Sequence, residues 1–161
     1  MIVVSNSTIL IGLVKIGKLD LLQEIFGKIY IPEEVYKEVV ERGSKKLGSE
    51  IVKEAEWIEW KSVTDKTQVN LLLANLDRGE AEVLELAKEM KADLLLIDEE
   101  KARKSAAIAG FEVMGIVGLL VVAKNLGLID RSKPYIEELK RKKFRIANKI
   151  VMEGLKKAGE Y

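Results

Sequence analysis

The run Leu94-Leu95-Leu96-Ile97 constrains the fold more than any other stretch of this chain. Its four large apolar residues lie between Asp93 and the acidic group Asp98-Glu99-Glu100. So short a run, apolar at every position, suits a strand covered on both faces. The β-branched runs Ile2 to Ser5 and Ile29-Tyr30-Ile31 read the same way, and Phe111 to Met114 reads as a last short strand. Trp57 to Val63 alternates apolar with charged residues, the pattern of a partly exposed edge strand.

Helical spacing fills the intervals. Ile9, Leu10, Leu13 and Val14 recur before Gly17, and Leu19, Leu21, Leu22 and Ile25 before Gly27. Pro32 suits the first position of a helix through about Arg42, with Val35, Val39 and Val40 on its inner side and Gly43 as its stop. Further helices are expected over about Leu47 to Ala55, Val69 to Leu76, Gly79 to Met90 behind Asp77 as N-cap, Lys101 to Ala109, Val117 to Lys124, Pro134 to Lys142 and Ile146 to Ala158. Strands alternating with helices predict an α/β fold whose parallel sheet is covered on both faces. With 161 residues and no linker, internal repeat or low-complexity stretch, a single domain over 1–161 is expected.

Composition narrows the chemistry. The chain has neither Cys nor His, which excludes disulfides, thiolate nucleophiles, Ser-His couples and His- or Cys-based zinc sites. Acid–base or metal chemistry must then use Asp, Glu, Lys, Tyr, backbone groups or water. Apolar residues at 48% and charged residues at 33% exclude a disordered chain. The longest apolar stretch, Val113 to Ala123, falls short of the roughly 20 residues that span a bilayer, and no secretory signal is evident, so a cytoplasmic location is expected. A net charge of +1 gives no overall pull towards nucleic acid, so such binding needs a local basic patch.

Sites in open parallel sheets form beyond the carboxyl ends of the strands. Ser5-Asn6-Ser7 and Asp98-Glu99-Glu100 both fall there, and adjacent strands would make Asn6 and Asp98 face one crevice. A lone Asp after a strand is more often a helix N-cap than a ligand. Glu38, mid-helix, reads by itself as a solvated residue, and Glu80, in a first helical turn, as one favoured by the helix dipole. Spacing alone does not select these acids.

Taken together, S-N-S-T-I-L-I at 5–11, P-E-E-V-Y-K-E-V at 32–39, G-E-A-E-V-L-E-L-A at 79–87 and L-L-L-I-D-E at 94–99 resemble a PIN domain, of the branch related to VapC-type toxin ribonucleases. L-D-L-L at 19–22, K-A-R-K-S-A at 101–106 and the segment Gly115 to Leu128 are similar to that branch too. The resemblance is strongest over 1–130 and leaves 131–161 as a helical C-terminal extension. It implies a three-layer α/β/α domain that cuts RNA phosphodiesters with Mg²⁺ or Mn²⁺. It also implies a homodimer, and an antitoxin protein as a further partner. The implied catalytic and metal-holding set is Asn6, Glu38, Glu80 and Asp98, with Glu99 and Glu100 in support. Hard cations want oxygen ligands, so an acidic site without His or Cys suits Mg²⁺ or Mn²⁺.

PIN nucleases usually carry Asp where this chain has Asn6. An amide oxygen still binds a hard cation but brings no charge, so a binding module that cuts weakly or not at all is the alternative. Ser7 or Thr8 is expected to steady the first-strand ligand. Lys101, Arg103 and Lys104 are candidates to neutralise the scissile phosphate, against ordinary i to i+4 pairing with nearby acids. Lys140, Arg141, Lys142, Lys143 and Arg145 form the one dense basic patch, readable as a solvated helix end or as an RNA track. Other rivals are a receiver-like or flavodoxin-like domain, which Asn6 without a neighbouring acid fits badly, and a structural partner protein with the apolar helix after Gly115 as its interface. A dinucleotide-binding domain is disfavoured because no G-x-G-x-x-G follows the first strand.

Overall fold

A computed structural model of the chain describes residues 1–42 and 48–161. Five strands, β1 (Val3–Ser5), β2 (Ile29–Pro32), β3 (Ile58–Lys61), β4 (Leu94–Leu96) and β5 (Val113–Met114), form one sheet in the order β3-β2-β1-β4-β5. Every pairing is parallel. β1 and β4 are buried at every residue, as central strands packed on both faces must be, whereas β3 and β5 are half-buried or exposed, as edges are. Register follows from these runs: Val3, Val4 and Ser5 lie opposite Leu94, Leu95 and Leu96.

Ten α-helices connect and cover the strands among the described residues: α1 (Ser7–Lys15), α2 (Leu21–Phe26), α3 (Glu33–Tyr36), α4 (Ser49–Glu54), α5 (Lys66–Leu72), α6 (Arg78–Met90), α7 (Glu100–Ile108), α8 (Ile116–Asn125), α9 (Lys133–Arg141) and α10 (Asn148–Lys157). The result is the three-layer α/β/α arrangement expected from the alternation. Chain order runs outward from β1 in both directions, through β2 to β3 on one side and through β4 to β5 on the other. The switch point, where crossovers diverge and leave a crevice, therefore lies between the carboxyl ends of β1 and β4.

Several boundaries differ from expectation. Pro32 ends β2 and caps α3, so the helix starts at Glu33. That helix is not regular to Arg42: after Tyr36 it widens into a π-helical turn, Lys37–Glu41, which carries Glu38. Gly43, read as its stop, and Leu47, read as the start of the next helix, lie outside the described residues. α5 begins at Lys66, ahead of the apolar run, because Asp65 caps it by accepting the Gln68 amide at 3.0 Å. The apolar helix after Gly115 is not a free interface. In α8, Ile116, Val117, Leu119, Leu120, Val121 and Ala123 are all buried. α10 lies directly on α8, with Gly154 against the Val117 side chain so closely that a Cβ there would collide.

The core depends on the fully buried central strand. Leu95→Ala is expected to cost about 2–5 kcal/mol in urea unfolding, while Ile108→Ala, at an exposed apolar position, stays within about 0.5 kcal/mol.

Candidate functional site

Asn6 stands immediately after β1 and is only 4% exposed. Its backbone amide continues the ladder to the Leu96 carbonyl at 3.0 Å, which ties the ends of β1 and β4 together. Its side-chain oxygen accepts the Ile9 amide at 3.1 Å and so caps α1. Ser7 does not steady Asn6 as expected. Its hydroxyl donates across the crevice to Glu38 Oε2 at 3.1 Å.

Glu38 also meets α6. A Cβ on Gly79 would run into Glu38 Oε1, so the glycine leaves the end of that side chain its present place beside the first turn of α6. α3 is pinned to the same helix, because Glu82 accepts the Glu34 amide at 3.1 Å while Arg42 pairs with Glu34 at 2.8 Å. Burial raises the Glu38 pKa, and the nearby charges of Asp77 and Glu34 add to this against the Ser7 hydrogen bond.

Glu80 completes a capping box at the start of α6: the Glu80 amide donates to Asp77 Oδ1 at 2.8 Å, and the Asp77 amide to Glu80 Oε1 at 3.1 Å. Burial pushes the Glu80 carboxyl up to about 7, and the negative charges of Asp77 and Glu99 contribute. Glu99 stands near enough to Glu80 for the two carboxyls to act on each other's proton, raising the pKa of Glu80 and lowering that of Glu99. Glu99 also caps α7 by accepting the Ala102 amide at 2.9 Å. Burial works to raise its pKa, but the Ala102 and Lys101 amides and the Glu80 carboxyl outweigh it and hold the group low.

Asp98 follows β4 and accepts the Ile116 amide at the start of α8, at 3.2 and 3.3 Å to its two oxygens. Burial raises its pKa to about 6, against the pull of that amide and of the Arg103 charge. A glycine again permits the approach: a Cβ on Gly115 would stand 2.8 Å from Asp98 Oδ1 and 3.4 Å from Arg103 Nη1.

The remaining residues divide. Arg103 faces Asp98, whereas Lys104 pairs with Glu100 at 3.2 Å, the ordinary i to i+4 contact. Lys101 acts on Glu99, and Thr8 lines a small groove beside Asp98 and Glu99. In the basic patch, Lys140, Lys143 and Arg145 line grooves that open at Asp98. Lys142 is tied to the Lys15 carbonyl at 2.5 Å and to Glu138 at 3.6 Å, and Arg141 is exposed on α9.

Asn6, Glu38, Glu80 and Asp98 thus all lie at the carboxyl end of the sheet, but in three separate contacts: Ser7 with Glu38, Glu80 with Glu99, and Asp98 with the start of α8. Among the described residues no three acidic side chains are grouped so as to hold one ion. The donor set nonetheless fits a hard divalent cation, because it is all oxygen, and glycine keeps two of its carboxylates free of a neighbouring Cβ. Gly79 and Gly115 were not anticipated from the sequence. The signal was a glycine in a first helical turn, where alanine would normally serve, and another just ahead of a long apolar helix, where glycine also reads as an ordinary N-cap.

A family model described as PIN domain matches residues 2–160, and the chain belongs to that family, whose members are in general nucleases. The match runs through α9 and α10. Among solved structures, a PilT N-terminus domain protein from the hyperthermophilic archaeon Sulfolobus solfataricus is similar, with a TM-score of 0.58 and 18% identity over 76% of this chain and 93% of that one. At that identity the likeness concerns the fold. No curated protein matches the sequence.

The raised pKa values carry a sign. Glu80 and Asp98 bind protons more tightly in the folded chain than their ordinary values of 4.5 and 3.8 allow unfolded. Their contribution to stability is complete below those values and is lost as pH rises through about 6 to 7. In metal-free buffer the melting temperature is expected to fall between pH 5 and pH 7.5, and Glu80→Gln should flatten that slope.

Proposed function

We propose that this protein is a metal-dependent endoribonuclease of PIN type, with Mg²⁺ or Mn²⁺ held by Asn6, Glu38, Glu80 and Asp98. The observation that carries the reading is the gathering of partly buried carboxylates, their pKa values pushed up by that burial, at the switch point between β1 and β4, where a groove with Arg103, Lys140 and Arg145 in its lining opens. Burial without a cation favours the protonated form of such acids, and a divalent cation supplies the charge that displaces the proton.

A bound cation would lower the pKa of water and stabilise the charge developing on the phosphate. The chain's own residues have distinct tasks. The Ser7 hydroxyl orients Glu38, and the Ile116 amide orients Asp98. Arg103, beside Asp98, is placed to offset the charge of the scissile phosphate. Glu80 must leave its capping role, at least in part, to act as a ligand, and Asp77 remains to cap α6.

Asn6 favours weak activity, since the set has one negative charge fewer than with Asp. Calorimetry is expected to show Mn²⁺ binding that strengthens between pH 5.5 and pH 7.5 as the carboxyls release their protons. Asp98→Asn should abolish it together with cleavage of single-stranded RNA. Asn6→Asp should tighten Mn²⁺ binding about tenfold or more and raise cleavage. Gly79→Ala, which moves only the end of the Glu38 side chain, should weaken the metal with little change in melting temperature. Absence of Mn²⁺ binding at millimolar concentration in both the native chain and Asn6→Asp would remove the metal reading. Metal binding without cleavage would leave a binding module.

A further inference from the structure

Between α7 and the turn linking α9 to α10 runs an open groove of about 1270 Å³, with Arg103, Lys104, Lys140, Arg145 and Lys149 among its lining residues. On the other side of that turn lies a second groove, of about 320 Å³, which includes Lys15 and Lys143. The two share Asp98, Glu99, Phe144 and Arg145. Phe144 and Arg145 therefore stand as a divider between two grooves that meet at the acidic end of the sheet. Each groove has a slight excess of cations: five Lys and Arg against Asp98, Glu99, Glu100 and Glu153 in the larger, three against Asp98 and Glu99 in the smaller.

The divider is held firmly. Lys143 ends α9 in the left-handed conformation, φ 63°, a position that favours glycine. The Phe144 amide returns to the Leu139 carbonyl at 2.9 Å and the Lys143 amide to the Lys140 carbonyl at 3.0 Å, a complete Schellman turn. The half-buried Phe144 ring rests on α1 where Gly12 makes room: a Cβ there would lie 2.7 Å from both Phe144 Cε2 and Ile116 Cδ1. A glycine inside a helix costs about 1 kcal/mol against alanine, and this close approach explains it.

We propose that Phe144 and Arg145 select an unpaired polynucleotide strand and lead it across Asp98, the ring stacking on one base and Arg145 holding the adjoining phosphate. This rests on the nuclease reading above and names two residues that would grip its substrate. The cations of the grooves suit a phosphate backbone, and Phe144, half-buried and lining both grooves, can stack only on a base that is not already stacked inside a duplex. Stacking tolerates any base, so the divider chooses single-stranded form and not sequence.

The test is fluorescence anisotropy in EDTA, with a labelled unstructured RNA of about a dozen nucleotides, DNA of the same sequence and the matching duplex. Phe144→Leu keeps an apolar body on Gly12 and removes the ring. It is expected to raise Kd for both single strands about tenfold, to leave the duplex within about twofold, and to be rescued by Phe144→Tyr. Arg145→Ala, at an exposed position, should weaken single-strand binding and lower its salt slope by about one. The inference is overturned if the native chain binds no strand. Unchanged single-strand binding in Phe144→Leu, or equal loss for strand and duplex, overturns it too. Cleavage is read separately with Mn²⁺. A chain that loses the strand with Phe144→Leu but never cuts removes the nuclease reading alone, and one that cuts with Phe144→Leu unaffected removes this inference alone.

Discussion

The pairing of β1 with β4 is the contact on which everything else in the molecule rests. It joins the first strand of the chain to a strand formed some ninety residues later, through Val3, Val4 and Ser5 against Leu94, Leu95 and Leu96. The Asn6 amide extends it by one more bond to Leu96. The crossovers from these two strands diverge, so their carboxyl ends are the place where no connection covers the sheet. The carboxylates collect at that opening because the helices that follow must start there, and Asp, Glu and Asn are the residues that cap starting helices. Asn6 caps α1, Asp77 and Glu80 cap α6, and Glu99 caps α7. Local helix chemistry and the proposed cation-binding set thus draw on the same side chains.

What lifts the arrangement above helix capping is the way backbone gives way to carboxylate. Gly79 and Gly115 stand on different helices, yet each lies where a methyl group would strike an oxygen of Glu38 or Asp98. Capping does not need this. Inside α6, alanine in place of Gly79 would be more stable by propensity, so that glycine is explained by the acid beside it, whereas Gly115 also serves as the N-cap of α8, where glycine is favoured over alanine. The π-helical turn belongs to the same account. It carries Glu38, whose carboxylate meets Ser7, and such widened turns recur at functional sites.

The sheet was legible in the sequence because each strand is a local run whose apolar character reports burial directly. Leu94 to Ile97 and Val3 to Ser5 needed no long-range information to be recognised. Asn6, Glu38, Glu80 and Asp98 were singled out only as members of a family pattern, since each has a sufficient local reason to be where it is. The π turn has no compositional signature, so the helix after Pro32 read as regular. The close approaches were not legible at all. Gly12 with Phe144, Gly79 with Glu38 and Gly115 with Asp98 are contacts between distant segments, and a sequence shows only the unexplained glycine. The basic patch read as one feature, whereas the Schellman turn at Lys143 divides it. Lys140, Lys143 and Arg145 face the grooves, and Lys142 is tied into the scaffold.

Asn6 is the residue where stability and chemistry pull apart. Asn and Asp cap a helix about equally well, so the Ile9 bond does not choose between them. Burial does. At 4% exposure, a carboxylate in this place would lose nearly all its hydration, close to the Ser7 bond that already holds Glu38. Burial already raises the pKa of Glu38, Glu80 and Asp98, and a further acid there would be disfavoured in its charged form for the same reason in the metal-free chain. The amide keeps the cap, the remaining oxygen lone pair and the shape, and gives up only the charge. A chain so built is expected to hold its metal-free fold more securely than one with Asp at this position, and on the proposed metal reading to bind a cation less tightly for the same reason.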